Sequence, residues 1–204
     1  MIKGRLFIIS GPSGSGKDSV MKKVFERLPD LAFSISSITR AMRPGEVEGE
    51  KYNFITREKF LNMLENDELL EYNEYIGNYY GTPKAPVIAA IEKGEDILIE
   101  VDVNGAKSIC EKLPEAVTVF IMPPSYKELK RRLSGRGTET QELIDKRMKE
   151  ALNEIARATE FDYIVVNDNI DIAVDDIIEV ISSSRLMKKR QKYLINGVLN
   201  NVES

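Results

Sequence analysis

The sequence predicts an α/β fold in which a parallel sheet lies buried between helices, and three observations support that prediction. Short apolar runs alternate along the chain with segments whose apolar residues recur at helical spacing. The runs are nearly continuous in apolar residues, which is typical of parallel strands that are covered on both faces. With 204 residues, the chain is long enough to bury a substantial core within one domain.

The elements of this fold can be placed in order along the chain. Strands of a parallel sheet with about five members are predicted at Arg5–Ser10, Ile97–Val101, Val117–Met122 and Phe161–Val166. Helices are predicted at Val20–Leu28, Ala85–Lys93, Ser125–Leu133, Glu139–Thr159 and Asp171–Leu194. Gly94 is expected to end the second helix, and Ser125 with Glu128 should form a capping box on the third. The polar tail Asn196–Ser204 is expected to be frayed.

The composition removes several classes of function. The chain has no histidine, which excludes catalysis by a histidine base and metal sites with histidine ligands. Its single cysteine, Cys110, excludes an intrachain disulfide and a cysteine zinc cluster. With 29 Lys and Arg against 33 Asp and Glu, the net charge of −4 argues against a general nucleic-acid binder. No apolar run reaches the length of a membrane span or signal-peptide core, so we expect a cytoplasmic chain.

The segment between the first strand and the first helix carries a phosphate-binding pattern. It consists of Gly11, Pro12, Ser13, Gly14, Ser15, Gly16 and Lys17, followed by Asp18 and Ser19. Glycines allow backbone N–H groups to point at a triphosphate, and the helix N-terminus and Lys17 supply positive charge. This order of strand, glycine loop and helix predicts ATP binding. A flexible connector without a ligand is the alternative.

Asp18 departs from the usual pattern, which has Ser or Thr after the lysine to reach Mg²⁺. Its carboxylate could bind Mg²⁺ instead, directly or through water, and we predict that contact. The alternative is a residue of the first helical turn with no ligand. A second carboxylate, Asp102, follows the strand Ile97–Val101. At that edge of a parallel sheet it could bind metal, water or a second substrate, or it could be solvated.

Six motifs follow one another along the chain. They are GPSGSGK at Gly11–Lys17, FSISSITRAMR at Phe33–Arg43, PGEVEGEKYNF at Pro44–Phe54, GNYYGT at Gly77–Thr82, EVDVNG at Glu100–Gly105 and GRGTETQELIDKR at Gly135–Arg147. Together they resemble the guanylate kinase family, whose members phosphorylate GMP with ATP. The resemblance implies a P-loop NTPase-type parallel sheet flanked by helices, with a GMP-binding insertion and a lid.

The resemblance also implies how GMP is held. The residues that match GMP-binding residues of the family are Ser36, Arg40, Arg43, Tyr52, Glu71, Tyr80, Thr82 and Asp102. Arg40 and Arg43 would clamp the phosphate, since a guanidinium can bind a phosphate through two parallel hydrogen bonds. Glu71 would accept hydrogen bonds from guanine N1–H and N2–H₂, a donor pair that adenine lacks. Taken alone, Glu71 could equally be the solvated end of a helix.

On the ATP side, the resemblance matches Arg132, Arg136 and Arg147 to arginines that close over ATP, with Asn167 near the adenine base. The implied catalytic residues are Lys17, Arg40, Arg43, Arg132, Arg136 and Arg147, and Mg²⁺ is expected to enter with ATP. Phosphoryl transfer depends mainly on such positive charge, and the phosphate of GMP needs no general base. A solvated helix face is the alternative for Arg132.

We therefore expect a single domain, residues 1–204, with a core (1–33, 83–124 and 148–204), a GMP-binding subdomain (34–82) and a lid (125–147). The expected activity is transfer of the ATP γ-phosphoryl group to GMP, and to dGMP, by a monomer or homodimer without nucleic-acid or membrane partners. Two alternatives remain, a guanylate-kinase-like binding module and a P-loop kinase for another small phosphorylated substrate. Lys17 in an intact loop argues against the first, and Glu71 with Ser36 argues against the second.

Overall fold

The computed structural model describes residues 3–134 and 140–200. Its strands are β1 (Leu6–Ser10), β2 (Ala32–Phe33), β3 (Ser36–Ile38), β4 (Tyr52–Phe54), β5 (Leu69–Tyr75), β6 (Asn78–Pro83), β7 (Ile97–Glu100), β8 (Val117–Met122) and β9 (Tyr163–Val166). Its helices are α1 (Lys17–Arg27), α2 (Arg57–Glu65), α3 (Lys84–Lys93), α4 (Val103–Lys112), α5 (Tyr126–Ser134), α6 (Gln141–Ala156), α7 (Ile170–Ser183) and α8 (Lys188–Asn200).

The main sheet has five strands in the order β2-β7-β1-β8-β9, and every pair of neighbours is parallel. The central strand β1 is buried along its whole length. Phe7 and Ile9 pack with α1 and α7 on one face, whereas Leu6 and Ile8 pack with α3 and α4 on the other. This two-sided burial explains the continuous apolar runs and confirms the predicted sheet.

A smaller second sheet is formed by the residues between β2 and α3. Its order is β4-β3-β6-β5, in which β3 and β4 are parallel while β6 is antiparallel to both β3 and β5. Its apolar core, separate from the core of the main sheet, contains Phe60 of α2, Leu69 and Tyr79. Thr56 caps α2 by accepting a hydrogen bond from the backbone N–H of Lys59 at 3.1 Å.

One predicted helix end is confirmed, and the predicted capping box is confirmed in part. Gly94 ends α3 in the left-handed conformation, with φ of 87°. Ser125 accepts a hydrogen bond from the backbone N–H of Glu128 at 3.1 Å. The carboxylate of Glu128 accepts from Arg131 and Arg132 rather than completing the expected box through the backbone.

The predicted helix Asp171–Leu194 is wrong, because the chain breaks it into α7, a short 3₁₀ turn and α8. Arg5, which precedes β1, donates to the carbonyl of Ile181 at 2.5 Å and to the hydroxyl of Ser184 at 2.9 Å. The hydroxyl of Ser184 donates to the same carbonyl at 2.8 Å, so side chains satisfy the end of α7. The prediction of a frayed tail is also wrong for residues 196–200, which are helical and belong to α8.

Across the described residues, no helix has the length and apolar character needed to cross a membrane.

Candidate active site

The loop between β1 and α1 lies at the carboxyl edge of the main sheet, where ligands of parallel α/β folds bind. Gly14 and Gly16 have φ of 87° and 82°, in the left-handed region. A Cβ on Gly16 would also lie 2.4 Å from Nδ2 of Asn167, so only glycine fits there. The loop is therefore tightly folded beside the N-terminus of α1, as an anion-binding loop requires.

Side chains distant in the sequence hold this loop in place. Nδ2 of Asn167, which follows β9 and is buried, donates to the carbonyl of Ser15 at 2.7 Å. Arg132 of α5 donates to the same carbonyl at 3.2 Å and to the carbonyl of Asn167 at 2.9 Å. Arg147 of α6 donates to the hydroxyl of Ser13 at 2.6 Å. The structure thus brings three predicted ATP residues to the loop, while Arg136 lies outside the described residues.

Four charged side chains, two lysines and two carboxylates, lie next to one another beside the first turn of α1. Nζ of Lys17 lies 3.5 Å from Oε1 of Glu100, at the end of β7. Nζ of Lys51, just before β4, lies 2.9 Å from Oδ1 of Asp18 and 3.4 Å from Oε2 of Glu100. Burial raises the pKa of Asp18, but the hydrogen bond and charge of Lys51 outweigh it and hold this pKa below its ordinary value. Ser19 is exposed on the same turn.

A guanidinium–carboxylate pair organises the loop after β3. Arg40 donates through both terminal nitrogens to Glu46, at 2.7 and 2.5 Å, and lies over the rings of Tyr52 and Phe54. Glu46 also accepts from the backbone N–H of Arg43 at 2.7 Å. Hydrogen bonding to Arg40 lowers the pKa of Glu46 to about 2. The two predicted phosphate-binding arginines are therefore held in one loop by one carboxylate.

Glu71 of β5 is a largely desolvated carboxylate. It accepts a hydrogen bond from the hydroxyl of Thr82 at 2.6 Å. A Cβ on Gly105 would lie 3.1 Å from Oε2 of Glu71, so α4 packs closely against this carboxylate. Burial raises the pKa of Glu71 to about 7. A ligand that donates hydrogen bonds to the Glu71 carboxylate would replace the hydrogen bonds to water that burial removes.

Asp102 links the two sheets beside Glu71. Its Oδ1 caps α4 by accepting from the backbone N–H groups of Asn104 and Gly105, at 2.9 and 2.8 Å. Its Oδ2 accepts from Nδ2 of Asn73, on β5, at 3.0 Å. Asp102 is thus a helix cap and a contact between the main sheet and the second sheet.

The remaining residues that the sequence predicts to bind GMP lie on the second sheet. Ser36 is half-buried at the start of β3, and Tyr80 pairs with Ile38 of the neighbouring strand. The second sheet and its loop carry Ser36, Arg40, Arg43, Tyr52, Glu71, Tyr80 and Thr82, and Asp102 contacts this sheet through Asn73.

Sequence reasoning missed three side chains at this site. Lys51 stands inside the motif quoted for Pro44–Phe54, but nothing in the sequence shows that it reaches Asp18. Asn73, which donates to Asp102, belongs to none of the motifs found in the sequence. Burial raises the pKa of Glu154 of α6 and outweighs Lys17 and the backbone N–H of Ser13, which both lie near enough to lower it. Helical spacing alone cannot place that carboxylate at a loop so distant in the sequence.

Together, the glycine loop at the edge of a parallel sheet, its lysine and arginines, and the adjoining second sheet define a P-loop phosphotransferase. A family model described as guanylate kinase matches residues 3–184. The guanylate kinase of Oceanobacillus iheyensis is 49% identical over 188 residues, which are 92% of this chain and 91% of that relative. The guanylate kinase of Carboxydothermus hydrogenoformans is 45% identical over 202 residues, 98% of this chain and 99% of that one.

A crystal structure of guanylate kinase from Anaplasma phagocytophilum matches the fold with a TM-score of 0.76. It is 32% identical in sequence, and the match covers 93% of this chain and 90% of that one. The chain belongs to the guanylate kinase family. The family and the fold class predicted from the sequence are confirmed.

Proposed function

We propose that this chain transfers the γ-phosphoryl group of ATP to GMP, and also to dGMP, with ADP and GDP or dGDP as products. Membership of the guanylate kinase family supports phosphoryl transfer between these nucleotides. The single observation that supports guanine over other bases is Glu71, a desolvated carboxylate on the sheet that adjoins the phosphate loop. Bound adenine would leave this acceptor unpaired, because adenine lacks the N1–H and N2–H₂ donors.

ATP is proposed to bind at the loop Gly11–Lys17. Backbone N–H groups and the N-terminus of α1 would bind the phosphates, and Lys17 would contact the β- and γ-phosphates. Within the described residues, two buried hydroxyls lack a hydrogen-bond partner, and both belong to this region, on Ser10 and Ser15. Arg132 and Asn167 hold the loop in shape, and Arg147 reaches it from α6. Arg136 is proposed to cover the adenine.

GMP is proposed to bind between the second sheet and Asp102. Arg40, Arg43, Tyr52 and Tyr80 would hold its phosphate, and Ser36, Glu71, Thr82 and Asp102 would surround its base. Since Arg40 already donates two hydrogen bonds to Glu46, it would offer the phosphate its remaining donors. In this arrangement Glu46 orients Arg40 and does not compete with the GMP phosphate for the remaining donors of Arg40.

The transfer itself needs position and positive charge. An oxygen of the GMP phosphate forms a bond to the γ-phosphorus of ATP while the bond from that phosphorus to the bridging oxygen of ADP breaks. The negative charge spreads over the equatorial oxygens, where Lys17, Arg132 and Arg147 are the nearby cations. No general base is required, because the GMP phosphate is ionised near neutral pH.

The carboxylates of Asp18 and Glu100 suit the Mg²⁺ ion that accompanies ATP. Mg²⁺ is usually held by one or two carboxylates together with phosphate oxygens and water, and both carboxylates lie beside the phosphate loop. No group of three or more acidic or cysteine side chains able to hold a metal is found in the described ranges. Bound there, the ion would neutralise phosphate charge, and we propose Asp18 as its protein contact.

The division of the chain follows from the same roles. We propose a core at residues 1–33, 83–124 and 148–204, a GMP-binding subdomain at 34–82 and a lid at 125–147. The separate apolar core of the second sheet supports the subdomain. Since both substrates are anions that neutralise opposing cations, closure of the subdomain and lid is expected to follow binding.

A nucleotide panel tests this function. Release of ADP from ATP is measured with GMP, dGMP, AMP, UMP and CMP as acceptors under identical conditions. We expect rapid turnover with GMP and dGMP, and at least about 100-fold lower kcat/KM with AMP, because Glu71 would be left unpaired. Equal kcat/KM for GMP and AMP would contradict the guanine assignment, and no turnover with any acceptor would leave the binding-module alternative.

A further inference from the structure

Lys51 stands where three separate parts of the chain meet. It precedes β4 of the second sheet, whereas Asp18 begins α1 and Glu100 ends β7 of the main sheet. Nζ of Lys51 lies 2.9 Å from Oδ1 of Asp18 and 3.4 Å from Oε2 of Glu100. A single ammonium group from the second sheet therefore reaches the phosphate loop and the main sheet together.

The charges of this cluster are balanced only if Lys51 is included. Lys17 and Lys51 carry two positive charges, and Asp18 and Glu100 carry two negative charges. The usual phosphate loop has a neutral Ser or Thr at the position of Asp18. Without Lys51 and without a bound metal, this cluster would present a triphosphate with two carboxylates and one lysine, and its net negative charge would repel the phosphates.

We propose that Lys51 is a positioning residue for phosphoryl transfer, which offsets the extra carboxylate of Asp18 and holds the second sheet against the phosphate loop. The proposal rests on the proposed ATP site. It gives Asp18 and Lys51 one joint role, in which the carboxylate is compatible with ATP because a lysine from the second sheet accompanies it.

A surface ion pair without such a role is the competing explanation. The side chains of Lys51 and Asp18 are 45% and 76% exposed, and exposed pairs usually stabilise a fold very little. Such a pair would not change nucleotide affinity. Glu100 is different, because its side chain is 14% exposed and it contacts both lysines.

The decisive measurement is ATP affinity by calorimetry in EDTA, where no metal contact contributes. The variants are Lys51→Met, Lys51→Arg, Asp18→Asn and the double variant Asp18→Asn/Lys51→Met, with Lys59→Met, at an exposed lysine of α2, as the matched control. We expect Lys51→Met to weaken ATP binding about tenfold, whereas the double variant recovers most of this loss because the charges balance again. Lys51→Arg should stay within about threefold of the wild type, since the charge is kept.

A steady-state assay with Mg²⁺ gives an independent readout. Lys51→Met should raise the KM for ATP and lower kcat together, since it acts on both the ATP site and the position of the second sheet. ATP affinity in Lys51→Met equal to that of Lys59→Met would overturn the proposal, as would a double variant as weak as Lys51→Met. Failure of the wild type to phosphorylate GMP would instead refute the proposed function, and ATP affinity would still decide the role of Lys51.

Discussion

At the scale of single residues, Glu71 is expected to make the proposed guanine site sensitive to pH. Burial raises its pKa to about 7, so the carboxyl takes up a proton as the pH falls through that value. The protonated form loses acceptor capacity toward guanine N1–H and N2–H₂. We expect guanosine to bind more weakly by up to about tenfold per pH unit below 7 and to reach a plateau above it.

Guanosine is the right probe because it has no phosphate that titrates in the same range. The measurement is calorimetric affinity between about pH 5 and about pH 8 for the wild type and Glu71→Gln. The variant should bind weakly at every pH with a flat profile. A pH profile that persists unchanged in Glu71→Gln would assign the titration to another group.

Single residues also mark the limit of what the sequence could predict. Lys17 and the loop glycines were predictable because the chemistry of a triphosphate demands those residue types at a fixed spacing. Lys51 was not, because its partner Asp18 lies in a separate element and a lysine on the surface is usually solvated. Pairing across elements is a property of the folded chain.

At the scale of elements, Asp102 combines two roles that can be separated. Asp102→Asn keeps an oxygen that can cap α4 but removes the charge that faces Asn73 and the proposed base. We expect thermal stability close to that of the wild type together with a kcat/KM for GMP reduced by about tenfold or more. Thermal unfolding and steady-state kinetics on the same preparation check both parts.

The helix cap at Thr56 provides the matched comparison, since it caps α2 without touching the proposed base. Thr56→Ala should lose about 1 kcal/mol of unfolding free energy and keep the kcat/KM for GMP close to that of the wild type. If Asp102→Asn lowered the melting temperature as much as Thr56→Ala does, the role of Asp102 would be mainly structural.

The elements also show why some boundaries were predicted and others were not. The range of β8, Val117–Met122, is the predicted one, because a buried apolar run closed by two prolines is a local signal. The break between α7 and α8 depends on Arg5, which lies 176 residues before Ile181. The short strands β3 and β4 are set by pairing with each other, and β3 also pairs with β6, which periodicity over three residues cannot reveal.

At the scale of the whole molecule, separate apolar cores support the two proposed substrate sites. The main sheet, buried on both faces, supports the phosphate loop, while Phe60, Leu69 and Tyr79 support the second sheet. Ionic and polar contacts such as Lys51 with Asp18 and Asn73 with Asp102 join the two sheets near the site. Polar contacts between separately packed sheets can be exchanged for contacts with substrates, which is consistent with the proposed closure of the second sheet.

This architecture predicts that damage to the second core is selective. Phe60 is fully buried and its ring stacks on Tyr79 at 5.2 Å between centroids, so Phe60→Ala should destabilise the second sheet by about 3–5 kcal/mol. We expect GMP affinity to be lost while ATP affinity stays within about threefold, because the phosphate loop belongs to the other core. Calorimetry with each nucleotide and hydrogen exchange of the second-sheet amides measure both effects. Parallel loss of ATP and GMP binding would mean that the two sheets unfold as one cooperative unit. In that case Phe60→Leu, which leaves a smaller cavity, would weaken the binding of both nucleotides together, but by less than Phe60→Ala does.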